Sequence, residues 1–386
     1  MEKVCILGGG ASALMCACFA TGNVTIIEQN DKAGKKILAT GNGRCNLTNK
    51  NYKSGVYNQN IDKFLNKFDY LSVLKFFKSI GLETYFDEEG RCYPLSNSSS
   101  SVVDVLKNYL QTKNNVKFVC EKKVNKIEKN ENGYNICFED ETKEFFEKVV
   151  VATGNYTNLS IFDDLNIKYN QFVPSLCSLK TTIKNKSLSG LRVSGVKVSC
   201  NLKNYNFEEI GEILFKDEGV SGIVIFNLSS HMARENNFKY DFFVDYLPKL
   251  STKEIEQNLK NRRESLKNLT CIDFLTGFFH KSLNFELLKL CKIDLNKSVK
   301  NITDIEIKNL CYLIKNYKIS ACGHYDNNQV ACGGVTLGQL FDNLESKKNK
   351  NLFFIGEVVD VDGVCGGYNL QWAWTSGKIV GECLWN

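Results

Sequence analysis

The stretch from Lys3 to Glu28, KVCILGGGASALMCACFATGNVTIIE, decides the fold. Val4, Cys5, Ile6 and Leu7 form a short apolar run of buried-strand type, and Gly8, Gly9 and Gly10 make a turn. About Ala11 to Thr21 reads as a helix, and a second strand ends at Glu28. This order is one mononucleotide-binding half of a doubly wound α/β fold. Gly8 permits the tight turn, and Gly10 lets the backbone approach a pyrophosphate. The N–H groups opening the helix, at Ala11, Ser12 and Ala13, supply donors and the positive end of the helix dipole. Ala13 fills the third position of the fingerprint, where a small side chain keeps helix and strand close. Glu28 stands eighteen residues beyond Gly10. A carboxylate there accepts both hydroxyls of an adenosine ribose and repels a 2′-phosphate, so the expected nucleotide is FAD or NAD rather than NADP. A glycine turn alone also occurs in unrelated α/β proteins; the strand, helix, second strand and terminal acid in sequence favour dinucleotide binding.

With 386 residues, 43% of them hydrophobic and 24% charged, the chain has the composition of a soluble protein of two or three domains. No apolar run approaches the ~20 residues that span a bilayer, and the apolar start carries the glycine fingerprint rather than a cleavable signal, so a cytoplasmic location is expected. The sixteen cysteines are scattered singly with no CxxC. They read as reduced, mostly buried residues, with neither a disulfide framework nor a zinc site, and no metal is expected. The net charge of +6 comes from lysines mixed with acids, without a basic block alternating with aromatics. That pattern argues against a nucleic-acid partner and for a small-molecule one. His231, His280 and His324 are the only histidines, which leaves few candidates for histidine chemistry.

After Glu28 comes a polar, glycine-broken loop, residues 29 to 49, without helical or strand period. It is placed to follow a cofactor from its adenosine end toward its reactive end. Its core, GKKILATGNGRCNLTN from Gly34 to Asn49, resembles the signature of the BaiN-like or aminoacetone-oxidase-like family of bacterial FAD-dependent oxidoreductases. The likeness continues through GRCYPLSNSSSSVVDVL (Gly90 to Leu106), VVVATG (Val149 to Gly154), GEILFKDEGVSGIVIFNLS (Gly211 to Ser229), ACGGVTLGQL (Ala331 to Leu340) and FFIGEVVDVDGVCGGYNLQWAWTSG (Phe353 to Gly377).

The resemblance implies a Rossmann-like FAD-binding domain of glutathione-reductase type over 1–180 and 321–386. A β-rich insert would occupy 181–250 and 296–320, carrying a small helical insert at 251–295. It also implies cofactor contacts from Lys36, Thr40, Gly41, Gly43, Arg44, Cys45 and Asn46 in the loop, and from Val124, Thr153, Gly154 and Asp362 beyond it. Arg44 could instead meet a substrate carboxylate or form a surface salt bridge. Just after Gly154 this chain reads NYTNLSIFDDLNIKYN where the relatives carry a glycine-rich segment. If that segment lines the pocket, the substrate differs from theirs.

The residues between these motifs read as helical over 61–80 and from Val102 to Leu110 after a capping serine run. Val116–Val119, Val124–Glu128, Tyr134–Phe138 and Val149–Thr153 read as strands. From Thr181 the pattern turns to β-type runs, including Leu191–Leu202, Gly211–Phe215, Ile223–Leu228 and Phe238–Val244. Thr252 to Leu295 is lysine-rich and helical.

The closing motif supplies a second half-site. Leu352 to Ile355 form a strand ending in Gly356-Glu357, where FAD enzymes hold the ribitol chain. Gly366 and Gly367 then open a helix near Tyr368 whose N–H groups would face the pyrimidine edge of a flavin, stabilising charge at N1 and O2. Tyr368 and Asn369 are the candidate proton donors. Cys45 lacks a resolving cysteine and is expected to pack rather than react. With no second strand–GxGxxG–helix unit, NAD(P)H would bind only transiently over the isoalloxazine. The reading is an FAD-dependent oxidoreductase that exchanges hydride between flavin N5 and a small organic substrate in an interdomain cleft. Its direction is open: reduction of a conjugated C=C bond, or oxidation of an amine or amino ketone. A non-catalytic flavin-binding sensor or scaffold and an NAD-dependent dehydrogenase are the alternatives. Oligomeric state is not legible.

Overall fold

The computed structural model describes residues 2–184, 186–326 and 330–385, apart from the side chain of residue 156. The chain divides into two compact units, Met1–Val173 with Gln329–Asn386, and Pro174–Asn328. The expected breaks at 180 and 321 thus lie at 173 and 329.

The first unit is built on a five-stranded parallel sheet. Its spatial order is Leu352–Phe354, Lys148–Val151, Val4–Leu7, Val24–Ile27, Val116–Val119. Val4–Leu7 lies at its centre, paired in register with Lys148–Val151 on one side and Val24–Ile27 on the other. All four of its side chains are buried, as a strand covered on both faces requires. The helix Ala11–Phe19 follows the glycine turn and the helix Ser99–Lys113 precedes the outer strand. Ser98 stands at the N-cap of the latter, but its side chain makes no capping bond.

The C-terminal helix Tyr368–Cys383 is buried along most of its length and packs against Ala11–Phe19. Two glycines one turn apart let the backbones touch. A Cβ at Gly377 would lie 2.4 Å from the Ser12 carbonyl oxygen, and one at Gly381 would lie 2.4 Å from that of Cys16. Both distances are shorter than a carbon can approach an oxygen, so no side chain fits at either position.

Two small three-stranded antiparallel sheets belong to this unit: Thr48–Asn49 with Arg91–Pro94 and Thr84–Phe86, and Val124–Lys129 with Tyr134–Phe138 and Lys143–Phe146. The loop over 29–49, read as aperiodic, contains the short helix Lys35–Ala39 and the strand Thr48–Asn49. The segment 61–80 holds two helices, Asp62–Leu65 and Tyr70–Ser79, the second capped by the Asp69 carboxylate on the Ser72 N–H at 2.8 Å.

The second unit closes six strands into a barrel in the order Leu179–Thr181, Gly219–Ser221, Asn206–Lys216, Arg192–Asn201, Asp241–Asp245, Tyr317–His324. One element differs in kind from its sequence reading. Ile223–Leu228, read as β-type, begins the helix Ile223–Arg234. Its β-branched start has local strand propensity, but Val224, Ile225, Leu228 and Met232 share one helical face and are all buried. Tertiary burial overrides the propensity. The stretch 296–320, expected to be β-rich, contains the helix Asp304–Lys315, started by a capping box between Thr303 and Glu306, and only its end enters the strand Tyr317–His324. With Thr252–Ser265 and Lys281–Leu290 it extends the helical part of this unit beyond 295.

All sixteen cysteines are free, and most are buried. Among the described residues no helix is long and apolar enough to cross a membrane, and no group of three or more metal-ligating side chains occurs.

The glycine contact between the two helices sets the first expectation. Gly381→Val should lower the urea midpoint of unfolding by an amount equivalent to about 1–3 kcal/mol, through overpacking. A conservative change at the exposed Leu71 should leave it within about 0.5 kcal/mol.

Candidate functional site

The candidate site is assembled within the first unit from three stretches far apart in sequence: 8–49, 152–155 and 356–369. At the glycine turn the three glycines do different things. Gly8 has φ +101°, and a Cβ on it would lie 2.5 Å from the Ala152 carbonyl oxygen. Its N–H donates to the Ile27 carbonyl at 2.7 Å. Gly9 is pressed against Ala33 and Glu28. Gly10 faces open space: a Cβ there would meet nothing within 4 Å. Gly10 is also the N-cap of the helix Ala11–Phe19, and no side chain caps that end. The first N–H groups of the helix are therefore left for an outside acceptor, beside a gap in which only glycine leaves the backbone uncovered.

Glu28 is 7% exposed and doubly fixed. Its Oε2 accepts the Gly9 N–H at 2.6 Å, and its Oε1 accepts the Asn30 N–H at 2.8 Å and the Asn30 side-chain amide at 2.5 Å. Oε2 keeps a lone pair for a ribose hydroxyl, whereas both lone pairs of Oε1 are taken by Asn30. Val124 opens its strand just beyond Lys122, whose N–H donates to the Glu28 carbonyl at 3.0 Å. Gly9, for which the sequence offered no role, is thus the residue that orients the acid.

The second stretch meets the third at a charged node. Lys36 pairs with Glu357 and donates to Asn155 Oδ1 at 3.1 Å. Glu357 Oε1 accepts the Ala331 N–H at 2.9 Å, and a Cβ on Gly154 would come within 3.4 Å of Glu357 Oε2. Gly356 lies against Ser12, whose Oγ would be 2.5 Å from a Cβ there, and its N–H donates to Ser376 Oγ at 2.9 Å. The first fingerprint and the closing motif are in direct contact.

Thr40 to Asn46 forms a tight winding. Gly41, Asn42, Gly43 and Cys45 all have positive φ, and the Arg44 and Cys45 N–H groups donate to Gly41 O at 3.2 Å and Thr40 O at 3.0 Å. The Thr40 hydroxyl donates to the Ile37 carbonyl at 2.7 Å. Burial pushes the Cys45 thiol up to about 12, with the Thr40 hydrogen bond opposing, so it stays protonated. Arg44 is exposed, its guanidinium over the Tyr93 ring at 4.5 Å.

Asn46 is 9% exposed, and its Oδ1 has no partner. That oxygen lies 2.7 Å from where a Cβ on Gly367 would be, at the uncapped start of the C-terminal helix. Thr153 likewise buries an Oγ1 without a partner beside Gly8. Buried polar atoms left unpaired are costly, and two of them beside two uncapped helix starts mark where a polar ligand belongs. These residues fit FAD: a pyrophosphate at Gly10, a ribose at Glu28 and a pyrimidine edge at Asn46 and Gly367.

The closing loop is held by polar residues the sequence reading named, Asp362, Tyr368 and Asn369, and by others it missed, Asn49, Tyr57, Asn58 and Gln371. Asn369 closes the loop on itself, its amide accepting the Gly363 N–H at 2.9 Å and donating to the Gly363 carbonyl at 2.8 Å. Tyr368 donates its hydroxyl to the Asn51 carbonyl at 3.1 Å, and its own carbonyl accepts the Tyr57 hydroxyl at 2.7 Å. Burial raises the Tyr368 phenol above its ordinary range, so the hydroxyl stays protonated. The Asp362 carbonyl accepts the Asn58 N–H at 3.0 Å, the Asp362 N–H donates to Asn58 Oδ1 at 3.1 Å, and Gly366 O accepts from Asn49 Nδ2 at 3.0 Å. From the helix, Gln371 bonds Thr48, and the indole N–H groups of Trp372 and Trp374 donate to the carbonyls of Gly356 and Leu47. The one available signal was the run of polar and tryptophan residues in a helix with no polar face.

The model of the family described as HI0933-like protein Rossmann domain matches residues 2–383. A 3-dehydro-bile acid delta(4,6)-reductase of Clostridium scindens is 32% identical, over 99% of this chain and 98% of that protein. A ribosomal RNA dihydrouridine synthase of Escherichia coli is 28% identical, over 98% of this chain and 97% of that protein. The corresponding synthase of Haemophilus influenzae is 25% identical, over 96% and 95%. Full-length agreement with the family model, on a chain whose two half-sites fit a flavin dinucleotide, places this protein in the HI0933-like family of FAD-dependent oxidoreductases.

Proposed function

We propose that this protein reduces a carbon–carbon double bond conjugated to a carbonyl in a small acidic substrate, drawing its electrons from NAD(P)H through FAD. The observation that carries the reading is the convergence of Gly10, Glu28, Asn46 and Gly356-Glu357 in one unit with two uncapped helix starts. The direction of electron flow is taken from the relatives. One is named for reducing a bile acid and the others for making dihydrouridine, and both reactions add two hydrogens across a double bond beside a carbonyl.

Bound FAD supplies hydride transfer at N5. The chain's residues then have distinct roles in this proposal. Ala11, Ser12 and Ala13 bind the pyrophosphate by backbone N–H groups, Glu28 accepts a ribose hydroxyl, and Val124 borders the adenine. Thr153, Gly154, Lys36 and Glu357 hold the central part, and Glu357 accepts from the ribityl chain. Thr40, Gly41, Gly43, Cys45 and Asn46 border the ring, with Asp362, Gly366 and Gly367 on the opposite loop. Tyr368, held protonated by burial, gives the proton to the carbon beside the carbonyl, while Asn369 keeps the loop closed.

The relatives named for ribosomal RNA bear on the expectation of no nucleic-acid partner, so uridine in RNA is a second acceptor to be tried. Anaerobic holoenzyme bleached by NADH or NADPH should regain its oxidised spectrum on adding 3-oxochola-4,6-dienoic acid. Recovery with uridine-containing ribosomal RNA and not with the steroid would favour the second reading. No recovery with either, together with rapid reoxidation by air in the presence of an amino ketone, would reverse the assigned direction.

Two variants test the roles. Gly10→Val should purify folded and colourless, because its side chain enters only the ligand gap, whereas Gly8→Val should fail to fold, since its side chain would meet the Ala152 carbonyl. A yellow Gly10→Val protein would contradict the pyrophosphate assignment. Tyr368→Phe should keep full flavin content and lose about 100-fold or more in turnover, the usual scale for a general acid. Unchanged turnover would remove Tyr368 from that role.

A further inference from the structure

Arg44 differs from Arg91, Arg192, Arg262 and Arg263 in what its guanidinium meets. Arg91 is held by Asp87 at 2.7 Å and Glu89 at 2.6 Å, Arg192 by Glu212 at 2.5 Å, and Arg263 by Asp304 at 2.7 Å. Arg262 donates to the carbonyls of Phe274 at 2.9 Å and Thr276 at 2.7 Å. Arg44 has neither a carboxylate nor a carbonyl partner among the described residues, yet it is not left to swing. Its guanidinium lies 4.5 Å from the centre of the Tyr93 ring. Tyr93 is 3% exposed and backed across the sheet by Tyr85, ring to ring at 6.0 Å. A cation held over a ring in this way keeps its N–H donors available to an outside acceptor.

The ring that holds Arg44 packs on the winding that reaches the closing loop. A Cβ on Gly41 would lie 3.5 Å from Tyr93 Cε1 and 2.9 Å from the Asn46 N–H nitrogen, and the Asn46 side chain reaches the Gly367 backbone. Asn49 bridges the same winding to the Gly366 carbonyl at 3.0 Å. Both Arg44 and Cys365, on that loop, act electrostatically on the Tyr93 hydroxyl. An exposed cation held over a buried ring, two residues before the Asn46 side chain that reaches the closing loop, is an arrangement that suits an anion.

We propose that Arg44 is the specificity-determining residue of the substrate site, pairing its guanidinium fork with an anionic group, carboxylate or phosphate, on the molecule to be reduced. This rests on the reductase reading above and gives its substrate class: an enone-type acceptor that carries an oxyanion. It assigns Arg44 to the substrate rather than to the cofactor phosphates.

The test is equilibrium dialysis of oxidised holoenzyme without a reductant, so that binding is read apart from turnover. Two matched pairs separate the sources of negative charge: 3-oxochola-4,6-dienoic acid against its methyl ester, and uridine 5′-monophosphate against uridine. Wild type should bind the charged member of at least one pair about 10- to 100-fold more tightly than the neutral one, as expected of a charge-assisted hydrogen bond. Arg44→Met should bring that ratio to within twofold by weakening only the charged member, and Arg44→Lys should recover part of it. A preference in the first pair identifies a carboxylate, and one in the second a phosphate.

Equal binding within both pairs, no binding of any of the four, or a preference that survives in Arg44→Met would overturn the proposal. Loss of flavin from Arg44→Met would also overturn it, by assigning the residue to the cofactor. Failure of the reductase reading looks different: the charge preference would follow Arg44 while neither acceptor reoxidises the bleached enzyme.

Discussion

The arrangement of the first unit depends on the backbone contact between the helix Ala11–Phe19 and the helix Tyr368–Cys383, made possible by Gly377 and Gly381. Side chains on both helices would normally hold their axes 8–10 Å apart. Removing them at two positions one turn apart lets carbonyl oxygens of the first helix sit where Cβ atoms of the second would be. The consequence is positional. It places the start of the C-terminal helix against the winding 40–46 and Gly356 against Ser12, so the two uncapped helix starts belong to one unit although more than three hundred residues separate them in sequence.

Polar side chains of the buried helix complete the alignment. Gln371, Trp372, Trp374 and Ser376 are each at or below 5% exposure, and each is hydrogen-bonded to a backbone or side-chain atom of a loop that borders the site. An unmade bond at any of them would leave a donor or acceptor stranded in an apolar interior, at a cost of about 1–3 kcal/mol. Burial thereby turns these side chains into a register device. Each has a partner on a neighbouring loop or strand, and the segments carrying those partners are fixed as a result.

The fold was legible in the sequence where local pattern and tertiary requirement agree. Val4–Leu7, the glycine turn and the helix from Ala11 are specified by an apolar run, a steric exception and a small-residue face, all within twenty residues. Glu28 was legible because its distance from Gly10 is a property of the βαβ unit. Ile223–Arg234 was not, since its opening Ile-Val-Ile favours a strand locally and only burial of Val224, Leu228 and Met232 on one face decides for a helix. The same limit applies to the site. Asn46 and Thr153 could be named from the family likeness, but that each buries an unpaired oxygen beside a glycine distant in sequence is a fact of packing. Gly9 was invisible because a fingerprint written GxGxxG treats its position as arbitrary, while the structure presses it against Glu28.

Gly8 and Gly10 make the further point that a motif can merge constraints of different origin. Both are glycines of one turn, yet Gly8 is required by the protein's own backbone at Ala152, and Gly10 meets no protein atom at all. At Gly10 the open space coincides with an uncapped helix start, and that pairing suits a ligand whose oxygens approach the bare backbone. The same reasoning sets Arg44 apart from Arg91, Arg192, Arg262 and Arg263: a charge held over a ring, whose donors meet no carboxylate or carbonyl among the described residues, is organised for a partner the chain does not contain.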